Sequence, residues 1–224
     1  MSLGDFTLVQ ERSLPVFLLV DTSSSMNHEN RIGRVNDAIS DMLADLRKDM
    51  PNAQDNLVVY KMGIIAFGGG KVTLQPLQDV REMQFKPLHA AGDTPLKEAL
   101  DVLLTQIQQL DRREYAPCVV LLSDGKPWIK EDPHYFEKVT RKLKDLQQEK
   151  RIAKSQFFAV KLGEVRPEQT QFLLDFVRNK TENYIDAKEV NQIKKAFEYI
   201  TLSVTQQAAT IVESFPEDES VRVR

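Results

Sequence analysis

Residues 18–26 have the sequence LLVDTSSSM, in which an apolar run leads directly into a carboxylate and a group of hydroxyls. If the chain stays extended just past the apolar run, Asp21, Ser23 and Ser25 occupy alternate positions and point to the same side. In an open α/β sheet, ligands bind at the carboxyl ends of the strands, where the strand order reverses. The segment therefore predicts a buried strand that ends at an oxygen-rich binding site.

Short apolar runs alternate with longer amphipathic segments along the rest of the chain. This alternation is typical of an α/β fold with a mostly parallel sheet and helices on both faces. The nearly continuous apolar character of the runs suits strands that are buried on both sides. The predicted strands are 16–20, 57–67, 118–122, 156–162 and 183–185, and 71–77 is a candidate additional edge strand.

Five segments carry apolar residues at helical spacing, which predicts helices that pack on the sheet. A stripe of this kind can also bind a partner, but packing against the sheet is the commoner use. The stripes are Val35, Ile39, Met42 and Leu46; Leu96, Leu100, Leu103, Ile107 and Leu110; Val139, Leu143 and Leu146; Phe172, Leu173, Phe176 and Val177; and Val190, Ile193, Phe197, Ile200 and Val204.

The length of 224 residues suits one large α/β domain. We expect an N-terminal extension at 1–13, the domain at 14–212 and a charged C-terminal tail at 213–224.

A net charge of −3 provides no basic field for nucleic acid, and no apolar run approaches the roughly 20 residues of a membrane span. The lack of a signal-like N-terminus and the single Cys118 favour a cytoplasmic location.

Two further segments place oxygen ligands near the same crevice. The run Val119–Leu122 leads into Ser123, Asp124 and Gly125, which puts Asp124 at the carboxyl end of a second apolar strand. Thr94 precedes Pro95 and the predicted helix that begins at Leu96, so its hydroxyl would lie at the helix mouth. In a doubly wound sheet of order 3-2-1-4-5-6, the first and fourth strands are neighbours at the switch point.

The pattern Asp-x-Ser-x-Ser, followed by a distant Thr and a distant Asp after an apolar strand, resembles the metal-ion-dependent adhesion site (MIDAS) of von Willebrand factor A (VWA) domains. The resemblance covers nearly the whole chain, and the family's motif positions fall on Asp21, Ser23, Ser25, Thr94 and Asp124. It implies a Rossmann-like, doubly wound, six-stranded sheet of order 3-2-1-4-5-6 with one antiparallel edge strand. It also implies a module that binds proteins and is not an enzyme.

Two segments, DTSSSM and LLSDGKP, are similar to those of bacterial TerY-type tellurium-resistance proteins within this family. That narrower resemblance implies a role in tellurite or stress response, with a Ser/Thr kinase and phosphatase as partners.

The five candidate ligands are all hard oxygen donors, which favours Mg²⁺, with Ca²⁺ or Mn²⁺ as alternatives, over zinc or copper. Hydroxyls and water-bridged carboxylates suit the octahedral shell of Mg²⁺, which retains water readily. We expect an acidic or phosphorylated group of a protein partner to complete that shell.

The same residues also have competing interpretations. The Asp21 to Ser25 segment can merely cap and turn the chain, and Thr94 can be a helix N-cap. A Mg²⁺-dependent phosphatase of the haloacid-dehalogenase type is the alternative function, although Ser23 stands where its second aspartate belongs. Gly68 to Gly70 fits a flexible turn better than a phosphate loop. Trp128 is a candidate aromatic anchor beside the metal, and burial in the core is the competing interpretation.

Overall fold

A six-stranded sheet of order β3-β2-β1-β4-β5-β6 forms the centre of the protein. The computed structural model describes residues 12–50, 58–124, 127, 132–163 and 167–213. Strand β3 pairs antiparallel with β2, and the other four pairings are parallel. The predicted α/β class, strand order and antiparallel edge strand are therefore confirmed. The strands are β1 (Arg12–Asp21), β2 (Val58–Gly68), β3 (Lys71–Asp79), β4 (Cys118–Ser123), β5 (Gln156–Leu162) and β6 (Tyr184–Ala187).

Helices cover both faces of the sheet, as the alternation of the sequence predicts. Along β1, Leu18 and Val20 pack in a core with α1 and α5, whereas Phe17 and Leu19 pack in a second core with α2, α3 and α4. The helices are α1 (Arg31–Asp49), α2 (Leu96–Gln109), α3 (Tyr135–Gln148), α4 (Pro167–Phe176) and α5 (Asn191–Glu213). Burial of each large apolar side chain contributes about 1.5 to 3 kcal/mol, so the two cores hold β1 firmly at the centre.

The edge strand β3 follows β2 through a tight turn. Gly69 and Gly70 have φ values of 62° and 70°, in the left-handed region that glycine adopts without strain. The glycine-rich segment is thus a hairpin turn, as expected. Most β3 side chains are exposed or half-buried, in contrast to the fully buried β4.

The chain leaves β1 through a kinked 3₁₀ segment, Ser24–Asn30, before α1 begins at Arg31. Glu29 and Asn30 both adopt left-handed φ values, 51° and 56°. Such a conformation is uncommon for residues other than glycine. The kink thereby sets where α1 starts and places Arg31 within ion-pair distance of Asp124, which follows β4.

The domain boundaries expected from the sequence stay predictions. Strand β1 begins at Arg12, within the expected extension, and α5 reaches Glu213. Residues 1–11 and 214–224 lie outside the described residues. None of the helices in the described ranges has the length and apolar character needed to cross a bilayer.

Candidate metal site

Asp21 is the last residue of β1 and is completely buried. Its Oδ1 accepts a hydrogen bond from the Ser23 backbone N–H at 2.9 Å, and its Oδ2 accepts one from the Ser123 hydroxyl at 2.7 Å. Strand register explains the second contact, because Val20 pairs with Leu122 and the next residues are Asp21 and Ser123. The central strand pair therefore holds the carboxylate in a single orientation.

Two serine hydroxyls connect this carboxylate to the end of β4. The Oγ atoms of Ser23 and Ser25 lie 3.0 Å apart, and the Ser25 hydroxyl donates to Asp124 Oδ1 at 2.7 Å. The four side chains of Asp21, Ser23, Ser25 and Asp124 are referred to below as the oxygen cluster. Four of the five candidate ligands therefore lie together. The extended backbone expected past β1 continues only to Ser23, because Ser25 lies in the 3₁₀ segment, and strand register supplies Asp124.

Thr94, the fifth candidate, lies at the end of a segment that packs against the Asp21 to Ser25 loop. The Ser24 N–H donates to Gly92 O at 3.0 Å, and the Ala91 N–H donates to Thr22 O at 2.8 Å. Thr94 is 7% exposed. Among the described residues, no hydrogen bond joins its side chain to the oxygen cluster. Its position beside the loop follows from the backbone contacts of its neighbours.

Capping does not account for these polar side chains. Helix α2 begins at Leu96 with Pro95 as its N-cap and without a side-chain capping hydrogen bond. Ser23 precedes the 3₁₀ segment, and its side chain likewise makes no capping hydrogen bond. The capping interpretation of Thr94 is therefore wrong, and the serine hydroxyls bond within the oxygen cluster instead.

Among the described residues, the positive charge in contact with the oxygen cluster does not balance the charges of its two carboxylates. Burial, and next the nearby charge of Asp124, raise the pKa of Asp21 from 3.8 to about 6, against the lowering effect of its hydrogen bonds from Ser23 and Ser123. The Asp124 side chain is also fully buried, and it forms an ion pair with Arg31. Among the described residues, the Arg31 guanidinium is thus the cation in contact with this pair of buried carboxylates, and it contacts Asp124.

Sequence reasoning missed two residues that contact the oxygen cluster, Ser123 and Arg31. Strand register offers a signal for Ser123, because the residue before Asp124 lies beside Asp21 in the parallel pair, and side chains at adjacent in-register positions project from the same face of the sheet. No sequence signal identifies Arg31, because its place depends on the kink at Glu29 and Asn30.

Other candidate chemistry lies away from the oxygen cluster. His28 and His134 are exposed, with ion-pair distances of 3.8 Å to Glu29 and 3.6 Å to Glu137. Cys118 is buried at the start of β4, and burial raises the pKa of its thiol well above its usual range. This supports the interpretation of Cys118 as inert packing. Trp128 lies outside the described residues.

Comparison with protein families decides the classification. The sequence model of the von Willebrand factor type A domain family matches residues 16–126. That range includes most of β1, all of β2 to β4 and all five candidate ligands. Over these residues the chain matches the VWA domain family. A comparison with curated proteins finds no significant match.

Solved structures share the VWA fold at low sequence identity. The pilus adhesin SpaC of Lactobacillus rhamnosus GG aligns with a TM-score of 0.68 at 14% identity, over 88% of this chain and 31% of the adhesin. Proximal thread matrix protein 1 of the mussel byssus, with a zinc-occupied MIDAS motif, gives 0.61 at 14%, over 85% and 48%. Manganese-loaded TRAP of Plasmodium vivax gives 0.51 at 18%, over 83% and 72%. The chain therefore spans less than half of the adhesin and of the mussel protein.

The donor set of the oxygen cluster fits a hard divalent cation. It combines two carboxylates with hydroxyls, and no group of three His, Cys, Asp or Glu side chains suited to a metal occurs in the described part of the chain. A donor set made of carboxylate and hydroxyl oxygens favours Mg²⁺, Ca²⁺ or Mn²⁺. A cation here would also relieve the electrostatic cost that raises the pKa of Asp21.

Proposed function

We propose that this VWA domain binds one divalent cation, preferably Mg²⁺, at Asp21, Ser23, Ser25, Thr94 and Asp124, and uses it to bind a protein partner. The observation that carries the proposal is the hydrogen-bonded oxygen cluster, whose two buried carboxylates meet one guanidinium, that of Arg31, among the described residues. When bound, the ion would supply a coordination position for an oxygen from outside the protein. An acidic or phosphorylated side chain of the partner supplies that oxygen.

The surroundings of the oxygen cluster suit a macromolecular ligand. A cavity of about 820 Å³ lies between α1 and the start of α5, and another of about 550 Å³ lies along β3 with Thr22 at one end. None of the proposed ligands lines either cavity. A small-molecule enzyme usually places its chemistry in an enclosed pocket. Ser23 stands where the second aspartate of a haloacid-dehalogenase phosphatase belongs, which supports a binding function over that alternative.

The proposal is tested by capture of partners from a cell lysate with the full chain, in Mg²⁺ and in excess chelator. Asp21→Asn removes the central carboxylate, and Asp45→Asn is the matched control, because Asp45 is exposed on α1 and forms its ion pair with Lys48 across one helical turn. We expect one set of partners to be lost with chelator and with Asp21→Asn, and retained with Asp45→Asn. A partner that is retained equally in all conditions contradicts metal-dependent binding.

An assay with a generic phosphate monoester and Mg²⁺ tests the enzymatic alternative. We expect no turnover above that of Asp21→Asn. Turnover that depends on Asp21 would instead support an aspartyl-phosphate mechanism.

The similarity of DTSSSM and LLSDGKP to TerY-type proteins supports a narrower proposal, in which the partners are a Ser/Thr kinase and phosphatase of a bacterial, cytoplasmic tellurite response. Mass spectrometry of the captured proteins tests it directly. Kinase or phosphatase peptides that depend on Mg²⁺ are the expected result, and their absence from the metal-dependent set contradicts the narrower proposal.

A further inference from the structure

Arg31 brings a positive charge into direct contact with the oxygen cluster. Its Nη1 lies 2.9 Å from Asp124 Oδ2, and the two side chains are only 14% and 0% exposed. Charge-assisted hydrogen bonds of this kind are strong, and they are screened little by salt when they are buried. Arg31 is therefore a fixed part of the site.

The fold provides space for this guanidinium. Gly163 follows the end of β5 with a φ of 69°, and a Cβ at that position would overlap Nη2 and Cζ of Arg31. The Gly163 N–H donates to Ala187 O at 3.0 Å, which ties the residue to β6. A residue with a side chain would push Arg31 away from Asp124.

Arg31 and a metal ion compete for the same carboxylate. Asp124 Oδ1 accepts from Ser25, and Oδ2 accepts from Arg31, so both oxygens are engaged by protein donors. Asp21, Asp124 and Arg31 together carry one net negative charge when both acids are ionised. A divalent cation would convert this to one net positive charge, whereas without Arg31 the loaded site would be neutral.

We infer that Arg31 is a specificity-determining residue of the metal site, which weakens the binding of the cation and strengthens the binding of an anionic ligand to the loaded site. The inference rests on the proposed function. A positive charge close to a divalent cation lowers the affinity for that cation through Coulomb repulsion. The same charge attracts a carboxylate or phosphate that approaches the metal.

The test is a Mn²⁺ titration of chelator-treated full-length protein, followed by electron paramagnetic resonance. Arg31→Gln removes the charge, Arg31→Lys keeps it, and Arg34→Gln removes an exposed arginine one turn further along α1. We expect Arg31→Gln to bind Mn²⁺ more tightly by on the order of tenfold. Arg31→Lys and Arg34→Gln should stay within about threefold of the wild type.

A second readout separates charge from structure. At equal Mn²⁺ occupancy, acetate bound near the metal shows paramagnetic broadening of its methyl proton signal. We expect this broadening to decrease in Arg31→Gln and to persist in Arg31→Lys. A purely structural role would weaken the binding of both metal and acetate, whereas our inference requires opposite changes.

The outcomes distinguish the two proposals. If the wild type binds Mn²⁺ and Arg31→Gln binds it equally or more weakly, the inference is overturned and the proposed metal site stands. If neither protein binds Mn²⁺, the proposed function and the inference both fail. If only Arg31→Gln binds Mn²⁺, Arg31 is confirmed as the opposing charge, and the proposed function of the wild type fails.

Discussion

Replacing Asp21 with asparagine should stabilise the metal-free protein and remove its response to Mg²⁺. Asp21 is completely buried, and its pKa is raised from 3.8 to about 6. A tenfold change in proton affinity corresponds to about 1.4 kcal/mol, so the ionised carboxylate costs the metal-free fold about 3 kcal/mol near neutral pH. Asparagine removes this charge and retains a similar shape.

The hydrogen bonds of Asp21 determine how much of this stabilisation remains in Asp21→Asn. The amide oxygen of asparagine can accept from Ser23 N–H, and its NH₂ group can donate to Ser123 Oγ. The second amide hydrogen has no assigned acceptor, and an unpaired buried donor costs about 1 to 3 kcal/mol. We therefore expect a net increase of about 1 kcal/mol in the free energy of unfolding near neutral pH.

The dependence on pH follows from the direction of the pKa change. Because folding raises the pKa of Asp21, the cost of its ionisation is absent below about pH 3.8 and complete above about pH 6. The stability of the metal-free wild type relative to Asp21→Asn should therefore fall as the pH rises through 6. The advantage of the variant should shrink, and can reverse, between pH 6 and pH 4.

Urea denaturation followed by circular dichroism measures these effects, first in excess chelator across the pH range and then with Mg²⁺ near neutral pH. Saturation at a hundred times the dissociation constant should stabilise the wild type by about 2.7 kcal/mol and leave Asp21→Asn unchanged. Asp45→Asn is the control, because it removes an exposed carboxylate and should retain the Mg²⁺ response. The reasoning is refuted if Asp21→Asn destabilises the chelated protein equally at neutral and acidic pH.

Three further substitutions test the structure around the site. Thr94→Val removes one hydroxyl and should weaken Mn²⁺ binding by about tenfold, measured by electron paramagnetic resonance. An unchanged Mn²⁺ affinity would exclude Thr94 from the ligand set. Gly92→Ala should lower the free energy of unfolding by about 2 kcal/mol, measured by urea denaturation, because φ of Gly92 is 57° and the new Cβ would lie 2.7 Å from Gly69 Cα. An unchanged free energy of unfolding would show that the loop adapts freely. Leu19→Ala should lower the free energy of unfolding by about 2 to 5 kcal/mol, because Leu19 on β1 is fully buried against the helices of the second core. A cost below 1 kcal/mol would contradict the packing described.

Hydrophobic pattern was sufficient to predict most of the strands, whereas the strand order and the antiparallel edge strand were predicted from the family resemblance. Strands β1 and β4 are buried on both faces, so their sequences are continuously apolar and their neighbouring positions follow from the strand order. The predicted bounds fell short at several strand ends, since polar residues such as Arg12 and Asp79 also pair within the sheet. The exposed edge strand β3 carries the weakest apolar signal, and its predicted range of 71–77 ends two residues early.

The candidate site was only partly predictable, because its contacts differ in sequence separation. Ser23 follows Asp21 in extended backbone, so local spacing accounts for its position, whereas Ser25 lies in the 3₁₀ segment Ser24–Asn30, which alternate spacing does not predict. Asp124 depends on strand register, which the sheet order supplies. Arg31 depends on a backbone kink formed by two left-handed residues, and no periodic pattern records such a kink.

The central claim is that oxygens from separate segments of this VWA domain bind a single divalent cation. The most direct measurement is a Mn²⁺ titration of the chelator-treated protein, with Mg²⁺ as competitor, on the wild type, Asp21→Asn and Asp124→Asn. We predict one Mn²⁺ per chain in the wild type, displacement by Mg²⁺, and loss of the site in both variants. No saturable site in the wild type, or an unchanged site in Asp124→Asn, would contradict the claim.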